Sequence, residues 1–322
     1  MPPSVRTRED PIYDGVRAAT KGGHVTEADL FGRSLERRYL KPGETVEDLM
    51  IDAGKAAIVD AGLTPADIDR LYGYSTVSEY LEPNGLFMVH HGLGLSPQTM
   101  VIPLNNGFTN FITGTVLGWE AILSGHCQQI MVNVGNGMSR NSNYESPHSL
   151  SAGDGAGAAI LGPSDRHVLV DYAEETHSGG DGYHGMTIKV RFHERHGLRT
   201  MRFDEQGVPM PTFEINEGGV RSFFEHGIKG PPRLIQKMLE RNHVSREDIT
   251  LIGHQGPNAL MDAWAELIQP KQYLHTMEQY GALALASVPV TLATCIAEVK
   301  TSYLVLASPG LGAHFAVLLI RM

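Results

Sequence analysis

One order of elements occurs twice in this chain. Residues 108–162 read as helix, short turn, strand, glycine segment, strand, and residues 287–320 read the same way. The segments GAGAAIL and GAHFAVLL end the two copies. Strands rich in Gly and Ala are common, but a repeated order of elements predicts an internal duplication, two similar α/β halves packed together. We place the halves at 1–165 and 166–322. At 322 residues, 42% of them hydrophobic, the chain is long enough to bury the large core that such a pairing needs.

Local signals fill in the elements. TVEDLMIDAGKAAIVDAG, 45–62, predicts a helix. Thr45 caps it, Glu47 and Asp48 suit its positive end, and Gly62 stops it. Helices are also expected at 84–93, 108–124, 220–242 and 288–300. Strands are expected after TPADID, in QQIMVNVG and DITLIGHQG, and in a glycine-interrupted hairpin that closes the chain. Residues 1–12 read as frayed, and 191–212 as a polar loop or flap.

Several functions are excluded or disfavoured early. The net charge is −10 and no basic stripe is present, which argues against nucleic acid as a partner. No apolar run approaches the ~20 residues that span a bilayer, and MPPSVRTREDPIYDG lacks the apolar h-region of a signal peptide, so no membrane role is expected and the cytoplasm is the default. The two cysteines, Cys127 and Cys295, show no zinc or redox spacing and read as buried and inert.

The chemistry concentrates at VIPLNNGFTNFITG, 101–114. An apolar strand meets Asn105-Asn106-Gly107, and a helix-like run follows. A strand–turn–helix junction is a common mount for a nucleophile, yet this one offers an amide, which attacks poorly at neutral pH. Asn105 at such a junction is expected to cap the helix or to offer its amide to a bound carbonyl.

Separate segments, taken in order, resemble the ketoacyl synthase III group of condensing enzymes. LERRYLKPGETVEDL at 35–49 looks like that group's Arg-rich turn before its first long helix. SAGDGAGAAILG at 151–162 is similar to its glycine-rich strand junction, ASVPVTLA at 286–293 to a late helix, and IGHQGPNALMDAW at 252–264 to its histidine loop. The resemblance runs from about residue 25 to the C-terminus. It implies a thiolase fold, duplicated and five-layered as α/β/α/β/α, and a dimer paired through the strand near 101–104. It implies acyl thioesters of coenzyme A or a phosphopantetheinyl acyl carrier protein as donors, with no permanently bound cofactor.

The group works with a Cys-His-Asn triad. Carried over by position, its Cys falls on Asn105 and its Asn on Ala282, and only His254 remains. Phe31 is present where an aromatic residue often stacks on coenzyme A, but no Trp is. A thioester at position 105 is excluded, and covalent catalysis would require another residue. The resemblance leaves His254 as base and Asn105 as a polar positioning group, with Asn106, Gly281, Ala282, Gly310, Gly312 and Phe223 as the candidate substrate wall. Gly310 and Gly312 lie in a loop whose backbone N–H groups can approach a substrate closely.

Other features have plainer readings. Asp154 is expected to tie a loop, and His90-His91 to pack in a helix. His193-Glu194-Arg195-His196 is not a zinc helix motif, since its histidines are three apart rather than four. It reads, with Arg191, Arg199 and Arg202, as a charged flap. Phe223-Phe224 reads as core or acyl-tunnel wall.

Two functions fit. One is an acyltransferase or condensing-type enzyme of secondary metabolism that works without a Cys nucleophile. The other is a catalytically inactive subunit that pairs with a Cys-bearing paralogue.

Overall fold

The structure, a computed structural model, describes all residues except 21–30, 79, 81, 145, 191, 196–197 and 202–210. Two sheets organise it. The first is built from β1 (Arg70–Thr76), β2 (Met100–Pro103), β3 (Ile130–Asn136) and β4 (Gly155–Leu161), in the order β2-β1-β3-β4. The second is built from β5 (Val168–Thr176), β6 (Ile249–Gly253), β7 (Gln272–Leu274), β8 (Tyr303–Gly310) and β9 (His314–Arg321), in the order β7-β6-β8-β9-β5.

The sheets share a plan. In the first, β1 lies parallel to β2 and β3, and β4 returns antiparallel. In the second, β6 lies parallel to β7 and β8, and β9 returns antiparallel. Strands β3 and β6 are buried along their whole length, as parallel strands covered on both faces must be.

Helix composition decides which layer each helix occupies. Helix α2 (Asn110–Leu123) carries a single charge, Glu120, and α5 (Ser287–Cys295) carries none. Such helices have no face suited to water, and both pack between the sheets. Phe111, Ile112, Val116 and Val288 join Val132 and Leu306 in one core. Helix α1 (Val46–Asp60) is capped by Thr45, whose side chain accepts from the Asp48 N–H. It covers the outer face of the first sheet through Met50 and Ile58. Helices α3 (Gly230–Arg241) and α4 (Asn258–Ile268) are amphipathic and cover the second sheet with Leu234, Ile235, Leu260 and Trp264. The layers therefore run α/β/α/β/α.

Two local expectations are corrected. The N-terminus is not frayed throughout: Ser4–Arg6 pairs with Arg37–Tyr39, and the Arg6 guanidinium sits 3.8 Å above the Tyr39 ring. The polar stretch after residue 190 is not an irregular loop over its described part. Met186–Val190 pairs with Pro211–Ile215, and Phe192–Arg195 with Leu198–Met201. Alternation along a β ribbon lets polar and apolar residues take opposite faces, so a charged sequence and a regular backbone coexist. The His193, Glu194, Arg195 and Arg199 side chains lie outside the described residues, as do Arg191, His196 and Arg202. Both cysteines are buried.

Candidate functional site

The turn after β2 gives the site its character. Gly107 has φ +58°, and a Cβ there would lie 2.7 Å from the Leu311 backbone nitrogen. Only glycine fits such a turn without strain. The turn delivers Phe108 to the interior, where its ring stacks on that of His254 with centroids 5.0 Å apart and planes 15° apart. The Phe108 carbonyl accepts from Ser308 Oγ at 2.9 Å, which ties this turn to β8.

Asn105 is placed differently from expectation. It is exposed on the surface and belongs to neither cavity described below. Nor does it cap the helix. A 3-10 turn, Gly107–Thr109, intervenes, so α2 starts five residues beyond Asn105, out of a side chain's capping reach. Asn110 supplies the local bond instead, its Oδ1 accepting from the Asn106 N–H at 2.6 Å. Asn106 Nδ2 donates to Thr113 Oγ1 at 3.0 Å, so Asn106 braces the helix start and faces neither cavity.

His254 follows β6 directly, and its N–H donates to the Ala307 carbonyl at 2.8 Å. The side chain is buried. Burial pushes its pKa down to about 4, partly opposed by a hydrogen bond to the Ala284 backbone. Nδ1 has no hydrogen-bond partner among the described residues. The ring is therefore a neutral imidazole at ordinary pH, with one nitrogen uncommitted. Neighbouring Gln255 is held rigidly: its Oε1 accepts from the Thr276 N–H at 2.9 Å, and its Nε2 donates to Thr291 Oγ1 at 2.5 Å.

Two cavities meet at His254. The larger has a volume of about 380 Å³ and is walled mainly by apolar groups, among them Met138, Met186, Phe213, Phe223 and Ala282. It reaches the surface past Ile215, Val220 and Phe224, which are exposed. The smaller, about 40 Å³, is bounded by Gly310, Gly312 and His314. Phe108, Met186, Phe223 and His254 wall both.

Of the substrate wall read from sequence, Ala282, Phe223, Gly310 and Gly312 do reach cavities. Gly281 does not. It turns the chain at φ +73°, and a Cβ there would meet the Ser151 carbonyl at 2.6 Å. Ala282 brings no polar group of its own: its N–H donates to the Ser151 carbonyl at 2.7 Å and its carbonyl accepts from the Gly153 N–H at 3.0 Å. Asp154 ties loops as expected, accepting from the Leu40 and Ser139 N–H groups at 2.8 Å each.

Sequence reasoning missed a polar pair in the larger cavity. Ser146 and His148 both line it, and Ser146 Oγ lies 2.8 Å from His148 Nδ1. Burial lowers the His148 pKa to about 4. The available signal was Ser-Pro-His, a rigid turn with two chemically useful side chains two residues apart. No group of three or more metal-ligating side chains is present among the described residues.

A family model described as 3-Oxoacyl-[acyl-carrier-protein (ACP)] synthase III C terminal matches residues 239–322. The β-ketoacyl-acyl-carrier-protein synthase III of Clostridium perfringens is 26% identical over 295 residues, covering 89% of this chain and 88% of the relative. Its Listeria monocytogenes counterpart is 26% identical over 294 residues, covering 89% and 86%. Among solved structures, the 3-oxoacyl-acyl-carrier-protein synthase III of Aquifex aeolicus superposes with a TM-score of 0.80 at 20% identity, over 100% of this chain and 97% of that one. Cerulenin-bound OleA of Xanthomonas campestris superposes at 0.79 with 18% identity, over 100% and 94%. The fold is the thiolase fold, duplicated and five-layered.

Proposed function

We propose that this ketoacyl synthase III-like protein of the thiolase superfamily is an acyltransferase. It takes the acyl group of a coenzyme A or acyl-carrier-protein thioester and works without a cysteine at the nucleophile position. The observation that carries the reading is His254: a buried, neutral imidazole with Nδ1 uncommitted, at the junction of an apolar cavity of about 380 Å³ and a smaller glycine-walled one. A cavity of that volume and lining suits an acyl chain. A neutral imidazole at the wall of both cavities suits a general base that deprotonates an amine, alcohol or carbon acceptor. The relatives' printed name, β-ketoacyl-acyl-carrier-protein synthase III, supports a carrier-protein thioester as donor. The reading places the protein in secondary metabolism and pairs it as a dimer through β2, which is the edge strand of its sheet and carries the exposed Met100.

One observation favours a second reading, an inactive subunit that partners a Cys-bearing paralogue. Phe108 covers one face of the His254 ring, and the other two triad positions hold Asn105 and Ala282.

The test is thiol release from a panel of acyl-coenzyme A and acyl-carrier-protein thioesters, with and without acceptors, comparing wild type with His254→Ala. Turnover that is lost in the variant supports acyl transfer. Folded protein that releases no thiol from any donor overturns it and favours the partner subunit.

A further inference from the structure

This inference rests on the acyl-transfer reading and concerns what replaces the missing thiol. Ser146 is the N-cap of the 3-10 turn Pro147–Ser151, with φ −106° and ψ 138°. A serine in that position ordinarily uses its hydroxyl to accept a backbone N–H of its own turn. Ser146 makes no such bond. The Ser149 N–H donates to the Ser146 carbonyl instead, at 3.0 Å. That leaves the hydroxyl to His148 Nδ1, 2.8 Å away. Proline between them fixes the backbone at Pro147, so the pair is held together by the chain itself.

The surroundings support a reactive pair. Both residues line the larger cavity. The His148 ring stands at 90° to that of Phe213, centroids 5.1 Å apart. Phe213 approaches Phe108, which stacks on His254. A run of rings thus connects the pair to the central histidine along one wall. His148 Nε2 is buried without a hydrogen-bond partner among the described residues, so Ser146 is the partner that fixes the ring. In the tautomer protonated at Nε2, Nδ1 presents a lone pair to the Ser146 hydroxyl. That is the arrangement in which a serine is activated by an adjacent base.

We propose that Ser146 is the acyl-accepting nucleophile of this site, with His148 as its base. Ser146 Oγ attacks the thioester carbonyl and forms a C–O bond as the C–S bond breaks. The hydroxyl proton passes to His148 Nδ1 and on to the leaving thiolate, which departs as the thiol. An amine or alcohol acceptor then attacks the seryl ester. The C–O bond to Ser146 breaks, and the acceptor's proton returns to Oγ. No oxidant or reductant enters.

The test treats the full chain with an alkyl fluorophosphonate, which reports an activated serine whether or not thioesters are turned over. In parallel, acyl-coenzyme A is supplied without acceptor, and adducts are mapped by mass spectrometry. The expected result is a phosphonyl adduct on Ser146 that Ser146→Ala abolishes and His148→Asn slows at least tenfold. An acyl adduct is expected on the same peptide. Ser146→Cys, which preserves volume and fold, should trap the acyl group as a thioester. Folded wild type that stays unlabelled at Ser146, or labelling unchanged in His148→Asn, overturns the proposal. If Ser146→Ala transfers acyl groups at the wild-type rate, the acyl-transfer reading survives and this one falls. If Ser146 is phosphonylated yet no thioester is consumed, the dyad stands and the thioester donor is overturned.

Discussion

Phe108 lies flat on His254, ring to ring, at 5.0 Å. Position 108 directly follows the glycine at which the chain turns inward, so the group that this junction delivers to the interior is an aromatic ring rather than a nucleophile. The stacking shields one face of the imidazole and adds to the burial that keeps it neutral.

Removing the ring should therefore unmask the histidine. Phe108→Ala is expected to speed modification of His254 by diethyl pyrocarbonate several-fold. It should cost about 2 kcal/mol of stability, since truncating this half-buried Phe loses its packing against His254 and widens the cavities it lines. Peptide mapping of the modified histidine and urea unfolding check the two parts.

Acid should destabilise the protein through its two cavity histidines. Both have folded-state pKa values lowered to about 4 by burial, against ~6.5 in an unfolded chain. Below pH 6.5 the unfolded state binds protons that the folded state refuses. The stability that depends on neutral histidine is thus complete above pH 6.5 and is lost as pH falls toward 4. Between pH 7 and pH 5 the loss is about 2 kcal/mol per histidine. Urea midpoints across that range, with His254→Gln and His148→Asn each flattening the slope, measure it. Acyl transfer that uses neutral His254 should show no break near pH 6.5.

Asn105 should be dispensable. It is exposed and outside both cavities, so Asn105→Ala should change stability by less than ~0.5 kcal/mol and leave thiol release unchanged. Asn105→Cys should react quickly with maleimide and should not accept an acyl group. Acylation of that cysteine by acyl-coenzyme A would show that the side chain reaches the site.

Gly107→Ala should be poorly tolerated. A left-handed turn costs a residue with Cβ about 1–2 kcal/mol, and here the added carbon also meets the Leu311 nitrogen at 2.7 Å. Backbone cannot swing aside as a flexible side chain can. A melting temperature lowered by several degrees, with thiol release reduced as Phe108 shifts, is the expected outcome.

Much of the fold was legible because burial writes itself into composition. The uncharged runs of α2 and α5 mark a helical layer with no wet face, and the repeated helix–strand–strand order marks two sheets of one plan. His254 and the glycines near 310 were picked out by position in a motif, and they do line cavities. Asn105 and Gly281 were not, because position in a motif does not say where a side chain points; the 3-10 turn at Gly107 and the approach of Ser151 settle that in space. Ser146 and His148 were missed because a serine before a proline reads as a turn opener. Only geometry reveals that its hydroxyl has left the turn for an imidazole.

The ribbon formed by Met186–Val190 and Pro211–Ile215 gives Met186, Phe213 and Ile215 to the larger cavity, whereas His254 hangs from a strand of the buried sheet. The buried histidine and this part of the cavity wall thus belong to separable parts of the chain. Insertions or exchanges of the ribbon can reshape the larger cavity while the scaffold around His254 keeps its form. A chain built this way can vary the shape of its pocket without renegotiating its core.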